Sequence, residues 1–331
     1  MKKNRAPFFI AAAICIAVGL ALCLAAYVAV RGDFVSLSTT PPYEAKEASY
    51  PAQGWTSLSL LDRNTRVRLE RSPDDQIHIT YFENQDEQYR ISDHGEELRL
   101  EKLERKGWIR FVMNFNLQDT TVVVALPEAY TGNVSLVTSN AGISARGLSL
   151  PGDVSLQTTN AAIRVQELEC AGRLRLATTN NAWELEHVTA AEIEAKATNH
   201  SVSADQVHTQ GSLNFSTTNG AVSLEDISAA SCTAQSSNSS IQATEVVAQE
   251  RLELRTTNGA ICLERVQPGN ENELVTTNTA IRGSILGSAG QFTIDSHTTN
   301  ASNNLPGAWV SGPKRLTVRT TNGKIAVDFV E

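Results

Sequence analysis

Between residues 134 and 331 a Thr-Thr-Asn-like triplet recurs ten times, and the residue three positions beyond the Asn is apolar in every unit but one. The asparagines are Asn140, Asn160, Asn180, Asn199, Asn219, Asn238, Asn258, Asn278, Asn300 and Asn322, spaced by 20, 20, 19, 20, 19, 20, 20, 22 and 22 residues. A period this regular describes one small unit stacked on copies of itself, and such an array grows along one axis rather than around a single core.

The side chains inside each unit follow from alternation. Six residues before the Asn stand Val134, Val154, Leu174, Ile193, Leu213, Cys232, Leu252, Ile294 and Leu316, with Asn272 the exception. Four before it, apolar Leu136, Leu156, Leu176, Phe215, Leu254, Leu274 and Val318 alternate with small Ala195, Ala234 and Ser296. Three after it come Ile143, Ile163, Trp183, Val202, Val222, Ile241, Ile261, Ile281 and Ile325, broken by Asn303, and a further apolar column runs eight after it. Three apolar walls in about 20 residues, each stacking at about 4.8 Å per coil, predict an all-β fold, a parallel β-solenoid (β-helix) of about ten 19–22-residue coils. Strict alternation places the Asn on the inward face with these columns, where a stacked amide row would set the register. The residue before each Asn then faces outward: Thr159, Thr179, Thr198, Thr218, Thr257, Thr277, Thr299 and Thr321, with Ser139 and Ser237 completing a possible surface-contact row.

Ahead of the repeats the chain changes character. Residues 8–30 are uncharged and apolar, about the 20 residues a spanning helix needs, and Lys2, Lys3 and Arg5 precede them. The basic flank predicts a cytoplasmic stub at 1–7, a transmembrane anchor at 8–30 and everything later outside the cell membrane. A cleaved signal peptide is the competing reading of the same stretch. Residues 31–54, with Pro41, Pro42 and Pro51, read as a linker; residues 55–133 alternate with period two but lack the ten-fold motif, and read as an irregular β cap or opening coils before the solenoid of 134–331. The final stretch, 324–331, would leave an unpaired strand edge guarded by Lys324 and Asp328.

The Thr-Thr-Asn-Gly-Ala-Val sequence of residues 217–222, with its counterparts at 256–261 and 320–325, resembles the bacterial putative-adhesin family, a domain of unknown function built of β-strand repeats in envelope proteins. The run Val122-Val123-Val124-Ala125-Leu126-Pro127 resembles that family's leading strand, so the similarity spans about residues 55–331. The resemblance implies a membrane-attached, extracytoplasmic solenoid, and it brings no catalytic residues with it. Trp183, His200 and the stretched units around Asn300 depart from the motif.

Composition narrows the chemistry. The net charge is -8, and Arg164, Arg173, Arg175, Arg255 and Arg282 are interleaved with Glu, so no nucleic-acid footprint is expected. The six histidines show no ligand spacing, and neither a metal nor another cofactor is expected. Cys170, Cys232 and Cys262 fall at unrelated positions of the repeat and read as small apolar residues. Parallel β-helices can carry polysaccharide lyases and hydrolases, whose sites need carboxylates converging in a walled groove. Units differing by at most three residues leave little chain for such walls, so Glu184 with Glu186, and Glu225 beside Asp226, read as solvated positions. Trp55, Trp108 and Trp309 could meet a surface or pack a cap. The expected role is non-catalytic binding, adhesin-like, at the cell envelope, with a cell-wall or surface glycan or an envelope protein as partner. The alternatives are a scaffold assembling with copies of itself through its coil edges, and a carbohydrate-active enzyme.

Overall fold

A computed structural model of the chain describes residues 6–31, 33–38, 40–93, 95–104, 116–310 and 312–331. They fall into two compact units. The first lies within Met1–Glu44, Phe82–Gln88 and Glu104–Thr120. It holds the helix Ala6–Ala29, whose stretch Phe9–Ala29 is long and apolar enough to cross a membrane and buries none of its side chains in the protein. A short 3-10 turn, Phe34–Leu37, follows, and the Asp33 carboxylate accepts the Val35 N–H at 3.1 Å. Beyond it the Tyr43 hydroxyl donates to Glu87 at 2.9 Å and its N–H to Gln118 Oε1 at 3.1 Å.

The second unit, which contains Thr121–Glu331, is a parallel β-solenoid. Its coils stack in register, Val154 on Val134 and under Leu174, Ile163 on Ile143 and under Trp183. The apolar columns six and four before the Asn, and three after it, line one continuous core, joined by a column five after it (Val165, Leu185, Leu224). Trp183 is the largest side chain in that core. It is fully buried with its ring centroid 4.6 Å from that of Phe215. Burial leaves the Trp183 Nε1–H without an acceptor among the described residues.

One bend per coil escapes prediction. Gly147 and then Glu167, His187, Gln206, Asp226, Glu245 and Arg265, each seven residues past its Asn, adopt φ of 48° to 65°. This left-handed conformation turns the strand without a glycine in six successive coils, at a cost of about 1–2 kcal/mol per residue that the surrounding ladders must offset. The column eight past the Asn is buried behind it, from Leu148 to Val266. In the following coil Ile285, rather than the expected Leu286, stacks on Val266, because the register slips by one residue around Gly283.

The two ends depart from a simple stack in the same way. The strand Lys314–Arg319 does not top the solenoid; it lies between Glu271–Val275 and Phe292–His297, parallel to both. Ile325–Val330 pairs with Ile281–Leu286, while Asn304 brackets it on the other side by donating to the Val327 carbonyl and accepting its N–H, both at 3.0 Å. The expected free edge at 324–331 is therefore closed. Asn272, which breaks the apolar column, sits where the inserted strand docks and donates to the Gly269 and Arg315 carbonyls at 2.9 Å. At the opposite end Ser57–Leu61 lies between Asn133–Val137 and Glu97–Glu104, and Val67–Arg71 lies between Ile143–Leu150 and Val122–Leu126.

So the first and last coils of the chain are each next to last in space. An antiparallel segment then covers strands of both outermost rungs: Gln76–Glu83 along Val122–Leu126, and Ala308–Trp309 along Phe292–His297. Antiparallel cover shortens the open edge that would template pairing with another copy. Of the two readings of 55–133, residues 57–71 take the opening-coil one, in regular form, while a strand, Glu44–Pro51, occupies part of the expected linker.

Candidate functional site

The corner at each Thr-Thr-Asn triplet is the feature repeated most often on the surface. Each Asn donates its Nδ2–H to the Oδ1 of the Asn in the coil before it, at 2.6 to 2.8 Å, from Asn140 through Asn278. The row continues in spatial order, Asn322 donating to Asn278 at 2.8 Å and Asn300 to Asn322 at 2.6 Å. It also begins earlier than the motif: Asn140 donates to Asn64 at 2.7 Å. Asp62-Arg63 stands there in place of Thr-Thr, but Leu58, Leu60 and Val67 occupy the apolar positions of a normal unit, which is the signal that could have found it.

The amide row is exposed, contrary to the inward placement expected from alternation. The chain turns within the triplet, so period two holds only as far as its first residue. That residue is the buried one: Thr138, Thr158, Thr178, Thr217, Thr256, Thr276, Thr320 and Ser236 face the core, with Ala197 in the same place in one coil. Their hydroxyls satisfy the corner backbone. Thr256 Oγ1 donates to the Ser239 carbonyl at 2.9 Å and accepts the Gly259 N–H at 3.2 Å, and Thr320 does the same with the Thr279 carbonyl and Gly323 N–H. Glycine follows the Asn at 220 and 259 because a Cβ there would lie 1.8 Å from the carbonyl oxygen of His200 or Ser239 in the preceding coil.

Beside the Asn row runs the residue before it, from Ser139 through Thr159, Thr179, Thr198, Thr218, Ser237, Thr257, Thr277 and Thr321 to Thr299. Its main-chain carbonyl accepts two N–H groups from the next coil, as Ser139 does from Thr159 at 3.2 Å and Asn160 at 2.8 Å. Its side chain points out, and among the described residues no hydrogen bond engages these ten hydroxyls. Each Asn amide spends one N–H and one lone pair on the row and keeps one of each for solvent. The corner is thus a two-column strip of hydroxyl and amide groups repeating at about 4.8 Å.

Other candidate residues lie apart from this strip. A shallow groove of about 500 Å³ follows the left-handed bend, lined by Glu167, Glu169, His187, His208 and an Arg71–Glu128 ion pair of 2.5 Å. Its carboxylates have partners, Arg146 at 3.5 Å from Glu167 and Ser149 donating to Glu169 at 3.4 Å. Glu184 pairs with Arg164 at 2.8 Å, and Glu186 accepts from Gln166 at 2.6 Å; Glu225 and Asp226 are exposed on a later coil. No group of three or more His, Cys, Asp or Glu suited to a metal occurs among the described residues.

His78 is held by Asp74 at 2.8 Å and Ser49 at 2.9 Å, while His200 and His297 are exposed. Asp74 is held below the usual carboxylate range, first by the Gln76 N–H and then by His78. Cys170 and Cys232 are buried and unpaired, and burial pushes the Cys232 thiol up to about 12. Trp55 packs edge-on against Tyr50 and donates Nε1–H to the Pro51 carbonyl at 2.9 Å, so it serves the fold. Trp108 and His94 lie outside the described residues.

A parallel solenoid with register-stacked Asn corners, in a chain that also carries one helix apolar enough to span a membrane, defines the class. Residues 55–328 match the Toastrack DUF4097 family, and the chain belongs to it. No curated protein matches the chain. Among solved structures it is similar to a "putative adhesin" from Parabacteroides distasonis, at 12% identity and a TM-score of 0.40 over 87% of this chain and 97% of that one. A "putative lipid binding protein" from the same organism gives 10% identity and 0.40 over 88% and 98%, and a "putative cell adhesion protein" from Clostridium sporogenes 8% and 0.24 over 87% and 100%.

Proposed function

We propose that this chain is a non-catalytic binding protein of the cell envelope. The helix Ala6–Ala29 tethers it, with the N-terminus inside and the solenoid outside, and the Asn/Thr corner is its contact face. The observation that carries the reading is the row of ten hydroxyls that the fold leaves unused beside an amide ladder it does use. A strip of evenly spaced donors and acceptors, with no charge of its own, complements a polymer whose own hydroxyls recur along its length, and a cell-wall or surface glycan is such a polymer. Lys2, Lys3 and Arg5 ahead of the helix favour this orientation. Assembly through coil edges, the alternative reading, is disfavoured where antiparallel segments cover part of both outermost rungs.

One experiment tests orientation and face together. Intact spheroplasts displaying the full chain should bind fluorescent envelope polysaccharide, and a variant carrying Thr159→Lys, Thr179→Lys, Thr218→Lys and Thr257→Lys should not. Binding that needs lysis would put the solenoid inside; equal binding by the variant would remove the corner as the contact face.

A further inference from the structure

On the face that carries the strands before each corner, two networks of paired charges stand on either side of an uncharged stretch. In one network, side chains of neighbouring coils meet, Arg173 with Glu192 at 2.7 Å and Arg175 with Glu194 at 2.9 Å, and Glu194 also pairs with Lys196 of its own strand at 2.5 Å. Glu194 is held below the usual carboxylate range, chiefly by the hydrogen bond from Lys196. Farther along the axis Arg251 and Arg255 both reach Glu253, at 2.7 and 2.5 Å, and Arg255 reaches Glu273 at 2.5 Å.

Two adjacent coils between these networks carry no charge on this face. Ser212 stacks on Ser231, Asn214 on Thr233 and Ser216 on Gln235. Their register is continuous with the charged neighbours, Glu194 and Lys196 on one side and Arg251, Glu253 and Arg255 on the other. Short side chains between long paired ones leave a trough about 10 Å wide, two rungs of the ladder. A cavity of about 460 Å³, within the range of sites that hold small ligands, lies over Ser212, Asn214, Ser216, Thr233 and Gln235 and is bounded on one side by Arg173, Glu192, Glu194 and Lys196. Apart from Asn214 donating to Ser212 at 3.2 Å, no side-chain hydrogen bond among the described residues engages the six floor residues. The buried Phe215 lies beneath, so the floor rests on packed core.

We infer that this trough is a binding site for a neutral oligosaccharide lying along the strand direction, separate from the corner strip. The floor offers hydroxyls and carboxamides, which both donate and accept, and no ionised group. The flanking charges are already neutralised by one another, so they reward no net charge on the ligand, and Arg173, Glu192, Glu194 and Lys196 wall the trough on one side. An amide-bearing sugar matches the Asn214 and Gln235 side chains as well as the hydroxyls.

Isothermal titration of the full chain in detergent with a hexamer of N-acetylglucosamine provides the test. Saturable binding is expected, and Ser216→Arg or Thr233→Arg, which fill the trough, should each weaken it at least about tenfold, equivalent to about 1.4 kcal/mol. Gln157→Arg, on the same face outside the trough, should leave binding unchanged, which separates this site from the rest of the face. No saturable binding, binding indifferent to the trough substitutions, or stronger binding of an anionic polysaccharide of equal length would each overturn the assignment.

Discussion

The middle of the solenoid and its two ends solve the same problem with different chemistry. In the middle, stack order follows sequence order, each coil meets its immediate neighbours, and the corner is satisfied by a buried neutral Thr hydroxyl. At the ends the chain folds back, so the first and last coils are clamped between two others. In the first coil the corner hydroxyl is replaced by Asp62, whose Oδ1 accepts the N–H groups of Arg63, Asn64 and Thr65 at 2.6 to 2.9 Å. Asp62 is fully buried and Lys102, 3.9 Å away and 4% exposed, balances it from the outermost rung while donating to Thr65 at 2.6 Å. The Tyr89 hydroxyl takes the remaining Asp62 oxygen. An array of identical coils has nothing to tell it where to stop, and a buried ion pair that only one coil can satisfy gives the N-terminal end a distinct partner.

The sharpest way to break that contrast is Lys102→Met. It leaves the Asp62 carboxylate buried without its counter-charge, and breaking a buried pair from one side costs about 3–5 kcal/mol. Thermal or denaturant unfolding of the variant should show the loss, accompanied by early hydrogen exchange in residues 57–71. A midpoint shifted by no more than a surface substitution would mean that the pair contributes nothing to the end.

The middle is tested by two substitutions at one corner. Thr217→Val removes a buried hydroxyl that donates to the His200 carbonyl at 3.3 Å and accepts the Gly220 N–H at 3.3 Å, and should cost about 1–3 kcal/mol. Asn219→Leu removes two exposed amide bonds, to Asn199 at 2.8 Å and from Asn238 at 2.7 Å, and should cost about 1 kcal/mol. Equal losses, or the reverse order, would show that the outer amide row sets the register after all.

The walls, the coil length and the triplet corner were legible because stacking forces like residues into columns, and a column appears in sequence as a period. What lay beyond the period was not legible. Asn64 was hidden because Asp62 does the work of Thr by a different chemistry. The exchanged order of the last two coils leaves no local pattern, only the longer spacings around Asn300 and the polar interruptions at Asn272 and Asn303. Asn272 docks the inserted strand, and Asn303, donating to Ser296 at 2.8 Å, supports the loop that brackets Ile325–Val330. The outward Asn row was misplaced because alternation was carried through a turn. The bend seven residues past each Asn was invisible because its residues are not the glycines that a left-handed conformation usually attracts.

That bend gives the smallest of the expected effects and extends the contrast, since the left-handed column runs from the Asn140 coil to the Asn258 coil and its register is lost around Gly283, where the C-terminal rearrangement begins. Gly147 already occupies the first position of the column at φ 65°, and Glu245 holds the same conformation at φ 52° with its side chain exposed. Glycine at 245 would relieve the Cβ contact with the backbone but would also free the unfolded chain, and the two terms oppose each other. Glu245 stands 3.7 Å from Arg265 in an exposed pair that contributes little. The steric relief should prevail by about 0.5–1 kcal/mol, so Glu245→Gly is expected to raise the unfolding midpoint slightly and Glu245→Val, β-branched at the same φ, to lower it. If both substitutions lowered it equally, the bend would be held by side-chain contacts rather than tolerated as strain.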